Sequence, residues 1–232
     1  MKLYAGIDLH SNNNVVVVIN EEGKQMYQKR LANDLEIIHL VLKQYKNNLS
    51  GVVVESTYNW YWLVDGLIAK GYKVHLANTT AIQQYSGIKH TNDFTDANWL
   101  AELLRLNLLP EGYIYPKEGR GLRDLLRKRG NLVQQRTSNI LGLQTIIVRE
   151  TGQKISGNKI KSLEIVDLEK YLQDENVKMA AASNLQVINI LNHEITQIEK
   201  MCLKQAKLNT KFQKLMTVPG IGKILSLIIM AL

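Results

Sequence analysis

The chain has 232 residues, 45% of them apolar, enough for one fair-sized domain with an appendage or for two small ones, and its formal net charge is +8. A single cysteine, Cys202, excludes an internal disulfide and suits a reducing cytoplasm; residues 1–7 hold one Lys and no signal-like apolar core; the longest apolar run, Ile224 to Leu232 around Ser226, is far short of a membrane span. Residues 1–116 hold 10 basic and 11 acidic side chains, whereas residues 117–232 hold 19 and 10, so the second half is suited to a polyanion.

Leu3 to Leu9 is predicted as a strand with Asp8 near its end, followed by turn chemistry in Ser11 to Asn14. The β-branched run Val15 to Ile19 predicts a second strand, and Gln25 to Leu31 returns after Glu21 to Lys24 as a third, making an antiparallel meander. Asn33 or Asp34 is expected to cap a helix reaching about Asn48, with Leu35, Ile38, Leu42 and Tyr45 inward and Ser50-Gly51 as its end. Gly51 to Glu55 is an apolar strand of the kind buried on both faces. Tyr58 to Lys70 is helical with Gly71 at its C′ position, Tyr72 to Ala77 is a fifth strand, and Thr79 to Ser86 is helical. A further helix starts in Lys89 to Ala97 and runs to about Asn107, with Leu100, Leu103 and Leu104 facing inward. A meander followed by alternating helices and strands predicts a mixed sheet flanked by helices, the ribonuclease-H-like layout.

Pro110 and Pro116 bracket a connector, and the boundaries expected are 1–115 for the α/β domain, 116–215 for a basic helical segment and 216–232 for the start of a third domain. Glu118 to Glu150 reads as a long helix interrupted by Gly130, with Arg120, Arg123, Arg127, Lys128, Arg129 and Arg136 as candidate phosphate contacts. Thr151 to Ser162, with Lys154, Lys159 and Lys161, reads as a mobile loop, and Asp167 to Asp174 as a short helix. From Ala180 to about Lys207, Ile188, Leu191, Ile195, Ile198 and Cys202 step as a coiled-coil seam of little more than two heptads, which serves a partner copy or the chain's own long helix equally well. Val218 to Lys223 ahead of an apolar run resembles a helix-hairpin-helix element, and a chain stopping within that run is expected to be truncated.

Four acids are the candidate chemistry. Asp93 and Asp96, three apart at a helix start, share one face. The layout sets the first and fourth strands side by side, which brings Asp8 to Glu55 and the last helix to the same edge. Carboxylates on such elements suit Mg²⁺, and two ions about 3.5–4 Å apart act on a phosphodiester. Taken singly, Asp93 also reads as a first-turn acid complementing the helix dipole and Glu55 as a strand end in solvent. Lys89 and His90 could touch phosphate or equally sit in solvent; His10, just after Asp8, could reach the metal edge but reads more often as a strand-end residue and is not counted as a ligand. Trp60, Trp62 and Trp99 read as core or interface.

Gly6-Ile7-Asp8, Val54-Glu55, Asp93-x-x-Asp96-Ala97 ahead of Leu100-Ala101, the basic helix and Val218-Pro219-Gly220-Ile221-Gly222 resemble, in order and over the whole chain, the DEDD transposases, insertion-sequence recombinases guided by a structured bridge RNA. The resemblance implies a RuvC-like domain in which Asp8, Glu55, Asp93 and Asp96 bind Mg²⁺, a helical and partly coiled-coil segment, and a C-terminal transposase domain with a nucleophilic serine that Ser226 does not match. It implies DNA and bridge RNA as partners, a homo-oligomer (dimer or tetramer), no membrane, and a nucleoid-associated place in a prokaryotic cytoplasm. Other readings stay open: a metal-dependent nuclease or junction resolvase on the same fold, a sugar-kinase or actin-like ATPase opened by Gly6-Ile7-Asp8, and a non-catalytic nucleic-acid-binding remnant.

Overall fold

A computed structural model describes residues 1–82, 92–207 and 209–231. They form two units, Met1–Ile114 and Tyr115–Leu232. In the first, β1 (Leu3–Leu9), β2 (Asn13–Asn20) and β3 (Gln25–Ala32) make an antiparallel meander. β4 (Leu49–Glu55) lies parallel to β1, β5 (Val74–Ala77) parallel to β4, and the short β6 (Glu111–Gly112) closes the edge antiparallel to β5. The order is β3-β2-β1-β4-β5-β6, a mixed, ribonuclease-H-like sheet.

Strand periodicity decides what each face carries. Leu3, Ala5, Ile7 and Leu9 of β1, with Val16, Val18, Val52 and Val54, point to one face. They pack under Ile38 and Leu42 of α1 (Leu35–Lys43) and under Leu63, Val64 and Leu67 of α2 (Tyr61–Ala69). On the other face Val15, Val17 and Ile19 meet Ala97 and Ala101 of α3 (Asp93–Arg105), and Val53 and Ala77 meet its Leu100.

Several expected bounds shift. Asp34 caps α1 by accepting from the Glu36 and Ile37 amides, and the helix stops at Lys43, because tight turns through Tyr45 and Asn48 lead straight into β4. Ser50 and Gly51 lie inside that strand instead of ending a helix; a Cβ on Gly51 would come within 3.0 Å of His75 and Leu104. Gly71 takes φ 78° just past α2, the left-handed stop expected of it. Of the helix expected over Thr79 to Ser86, residues 79–81 form a turn, the Ile82 amide donates to the Asn78 carbonyl, and residues 83–86 lie outside the described residues, as do Lys89 and His90.

The second unit is helical: α4 (Lys117–Thr151), α5 (Gly157–Lys161), a 3-10 turn (Ile165–Lys170), α6 (Glu175–Ala206), α7 (Thr210–Met216) and α8 (Lys223–Ala231). Gly130 does not interrupt α4, since a single glycine weakens a helix without breaking its ladder. The stretch read as a mobile loop is packed: Ile155, Ile160 and Leu163 are buried with Leu143 and Ile147 of α4. The heptad seam is taken up within the unit, Ile188 against Leu143, Leu191 and Ile195 against Leu132, and Cys202 against Leu126. Leu227 and Ala231 of α8 join that last cluster. Among the described residues no helix is long and apolar enough to cross a membrane.

Candidate active site

Asp8 and Glu55 stand at the carboxyl ends of adjacent parallel strands, one position beyond the paired Ile7 and Val54. Their neighbours Ile7, Leu9 and Val54 point into the α1–α2 core, so strand alternation turns both acids to the face that α3 covers. There α3 sits directly on β1. Gly6 supplies no side chain, and a Cβ on it would stand 2.0 Å from the Ala97 carbonyl oxygen and 2.9 Å from the Ala101 nitrogen. That contact sets the first turn of α3 beside the strand ends, with Asn92 capping it through the Thr95 amide. Asp8, Glu55 and Asp96 consequently line one pocket, walled by Trp99, Leu100 and Ile82.

Asp93 lies on the outer side of Asp8. Between them stands His10, its Nε2 3.1 Å from Asp8 Oδ2 and 3.3 Å from Asp93 Oδ2. Asp93 also accepts from Arg30, at 2.5 Å, and the same guanidinium donates to Asn13 and lies over the Phe94 ring. Asp8 thus belongs to both groups: to Glu55 and Asp96 in the pocket, to His10 and Asp93 outside it. Sequence reasoning set His10 aside as a strand-end residue and did not single out Arg30. His10 follows Asp8 by two, the same-face spacing of a strand, which was the available signal; Arg30 reaches Asp93 across 63 positions, and nothing local announces that.

The backbone around His10 is framed by amides. Its carbonyl accepts from Asn33 and from Asn59, each at 2.9 Å, and its N–H donates to Asn13. The buried Asn14 in turn donates to Asn33, and Thr57 donates to Asn59. Polar side chains at a strand end here bond one another and the main chain, which ties down the loop between β1 and β2, although Asn14 Oδ1 has no hydrogen-bond partner among the described residues.

Three carboxylates in one pocket repel one another. Burial, first, and then a hydrogen bond and the charge of Asp8, with Asp96 behind, push Glu55 up to about 8. The Leu9 amide pulls it back slightly. Asp96 is raised by burial and by Asp8 and Asp93, whereas Arg30 holds Asp93 below the ordinary carboxylate range. Such a donor set fits a cation: oxygen ligands on rigid elements, with excess negative charge that protons or metal must offset. Asp8, His10 and Asp93 offer ligand atoms all within 4.8 Å of one another.

In the helical unit the six basic candidates divide. Arg120 is buried and its Nε donates to the Tyr115 carbonyl; Arg129 pairs with Glu199 at 2.7 Å; Arg136 donates to Asn192. These three are engaged within the unit: Arg129 and Arg136 lie on the face of α4 turned towards α6, and Arg120 ties the start of α4 to the segment before it. Arg127 and Lys128 are exposed, and Arg123, half-buried, lies over the Tyr115 ring. Ser226 is fully buried with its hydroxyl on the Met216 sulfur. Trp60 is core and Trp62 packs against that core, while Trp99 walls the acid pocket.

A family model of the DEDD type for IS110 elements, described as transposase, matches residues 5–151. No curated protein matches the chain.

Proposed function

We propose that this chain, which belongs to the IS110 DEDD transposase family, performs its transposase chemistry at a Mg²⁺ site held by Asp8, Glu55, Asp93 and Asp96. The observation that carries the reading is the meeting of Asp8, Glu55 and Asp96 in one pocket, with Asp93 joined to the same Asp8 by His10. Divalent ions bound to such carboxylates activate an attacking hydroxyl and stabilise the leaving oxygen of a phosphodiester. The protein's share is to hold the acids on paired strand ends and on a helix clamped to Gly6, and to gather negative charge that a divalent ion would offset in place of protons. A DNA phosphodiester is the substrate class that a transposase implies.

A structured guide RNA is the partner assigned to the basic helical unit. The support is an exposed set of cations, Arg127 and Lys128 on α4 with Lys154, Lys159 and Lys161 beyond it. A homo-oligomer, dimer or tetramer, is supported by apolar side chains that α6 leaves in solvent, Met179, Val187, Ile190 and Met201.

The test is calorimetric titration of the full chain with Mg²⁺. Asp8→Asn, which removes the carboxylate common to both groups, lowers the affinity at least about tenfold. Mg²⁺ binding of equal strength in wild type and Asp8→Asn would sink the reading.

A further inference from the structure

The geometry points to His10 as a nitrogen ligand of the ion held at the Asp8–Asp93 side of the site, and so as the residue that tilts the site from Mg²⁺ towards Mn²⁺. This rests on the reading of the acids as an ion site and adds to it a ligand of different chemistry.

Donor spacing supports it. In an octahedral site with bonds of about 2.1 Å, neighbouring donors lie about 3.0 Å apart and opposite donors about 4.2 Å apart. His10 Nε2 stands 3.1 Å from one carboxylate oxygen and 3.3 Å from the other, close to two neighbouring edges. The three donors lie within 4.8 Å of one another, which accommodates two oxygens on opposite sides of an ion with the imidazole between them. A histidine that merely salt-bridged two acids would aim its N–H at one of them. Instead, Nε2 is buried and makes no hydrogen bond among the described residues despite both short contacts. The ring is also presented by a fixed backbone: Asn33 and Asn59 clamp the His10 carbonyl and Asn13 accepts from its N–H. Those bonds belong to the main chain, so they survive removal of the imidazole.

The consequence is selectivity. Mg²⁺ prefers oxygen and sits poorly on imidazole, whereas Mn²⁺ accepts both. Arg30 supplies the complementary term. Its charged hydrogen bond falls on Oδ2 of Asp93, the same oxygen that faces His10, so that donor has less negative charge to offer a hard cation.

The experiment uses the full chain and Mn²⁺ alone, observed by pulsed electron paramagnetic resonance, with Mg²⁺ competition as a second readout. Wild type shows a ¹⁴N coupling to bound Mn²⁺. His10→Ala keeps Mn²⁺ but loses that coupling, and its preference for Mn²⁺ over Mg²⁺ falls by about tenfold. Asp8→Asn weakens both ions. If Mn²⁺ binds in an Asp8-dependent manner with no ¹⁴N coupling, and His10→Ala leaves the selectivity unchanged, the assignment of His10 fails while the acid site stands. If Mn²⁺ binding ignores Asp8→Asn, the acid site itself fails and the assignment with it. His10→Gln, which keeps a polar side chain without the imidazole, guards against a folding defect in the alanine variant and loses the coupling equally.

Discussion

Glu55 is the residue whose surroundings make the sharpest demand. In the folded chain its carboxyl titrates near 8, against 4.5 for the unreacted group, so folding retains a proton that the unfolded chain has released. A group raised in this way gives stability that is complete below the unfolded value and is lost as pH rises towards the folded one. In chelator, the melting temperature therefore declines between about pH 5 and pH 8, and Glu55→Gln removes most of that decline. Mg²⁺ reverses it, raising the melting temperature more at pH 8 than at pH 6, because the ion displaces the proton. A melting temperature that is flat with pH in chelator, or an unaltered slope in Glu55→Gln, would contradict the account. The four candidate acids stand out in the sequence because each ends an apolar run or opens a helix with a cap before it. Their division into two groups about Asp8 was not, since it depends on which way Arg30 and His10 lean, and those contacts reach across the sheet.

β1 and α3 approach closely at Gly6, and that contact governs where Asp93 and Asp96 stand. Gly6→Ala would drive a methyl into the Ala97 carbonyl, so α3 must move outward. Urea unfolding is expected to show a loss of about 1–3 kcal/mol, and Mg²⁺ affinity to fall in the same variant because Asp96 leaves its place. A variant that unfolds as the wild type does would show that the helix has slack. Gly130 is the opposite case. Nothing lies within 4 Å of a Cβ added there, and the residue is mid-helix, so Gly130→Ala should stabilise by about 0.8–1 kcal/mol, read as a raised melting temperature. The comparison explains which elements the sequence disclosed. Alternating or β-branched runs such as Val15 to Ile19 declare a strand, because burial on both faces needs those residues. A glycine says only that a side chain is absent. At position 6 it marks a close approach, at 51 it lies within a strand, at 71 it stops a helix, and at 130 it does none of these. Similarly, Thr151 to Ser162 looked like a loop because its glycines and lysines outnumber its apolar residues. Ile155 and Ile160 suffice to pin it, since both are buried against α4.

At the scale of the whole molecule the governing quantity is charge, near neutral through residue 116 and strongly positive after it. Each phosphate contact releases a counterion, so the logarithm of DNA affinity falls with the logarithm of salt in proportion to the number of cations engaged. Cations already committed inside the helical unit do not count. Arg129 is held by Glu199 and Arg136 by Asn192, whereas Arg127 and Lys128 are exposed and the half-buried Arg123 rests over an aromatic ring. Replacing Arg123, Arg127 and Lys128 together by alanine should lower affinity at every salt concentration and flatten the slope by about 2–3, as three lost contacts on duplex DNA require. Arg129→Ala makes the informative contrast. It strips Glu199 of its partner, so it should lower the melting temperature while leaving the salt slope within error of wild type. Fluorescence anisotropy with a labelled duplex, titrated from low to moderate salt, separates the two. A triple variant with the wild-type slope would move the grip off α4, with the exposed Lys154, Lys159 and Lys161 next in line, and an Arg129→Ala slope that falls would return that residue to the binding surface despite its ion pair.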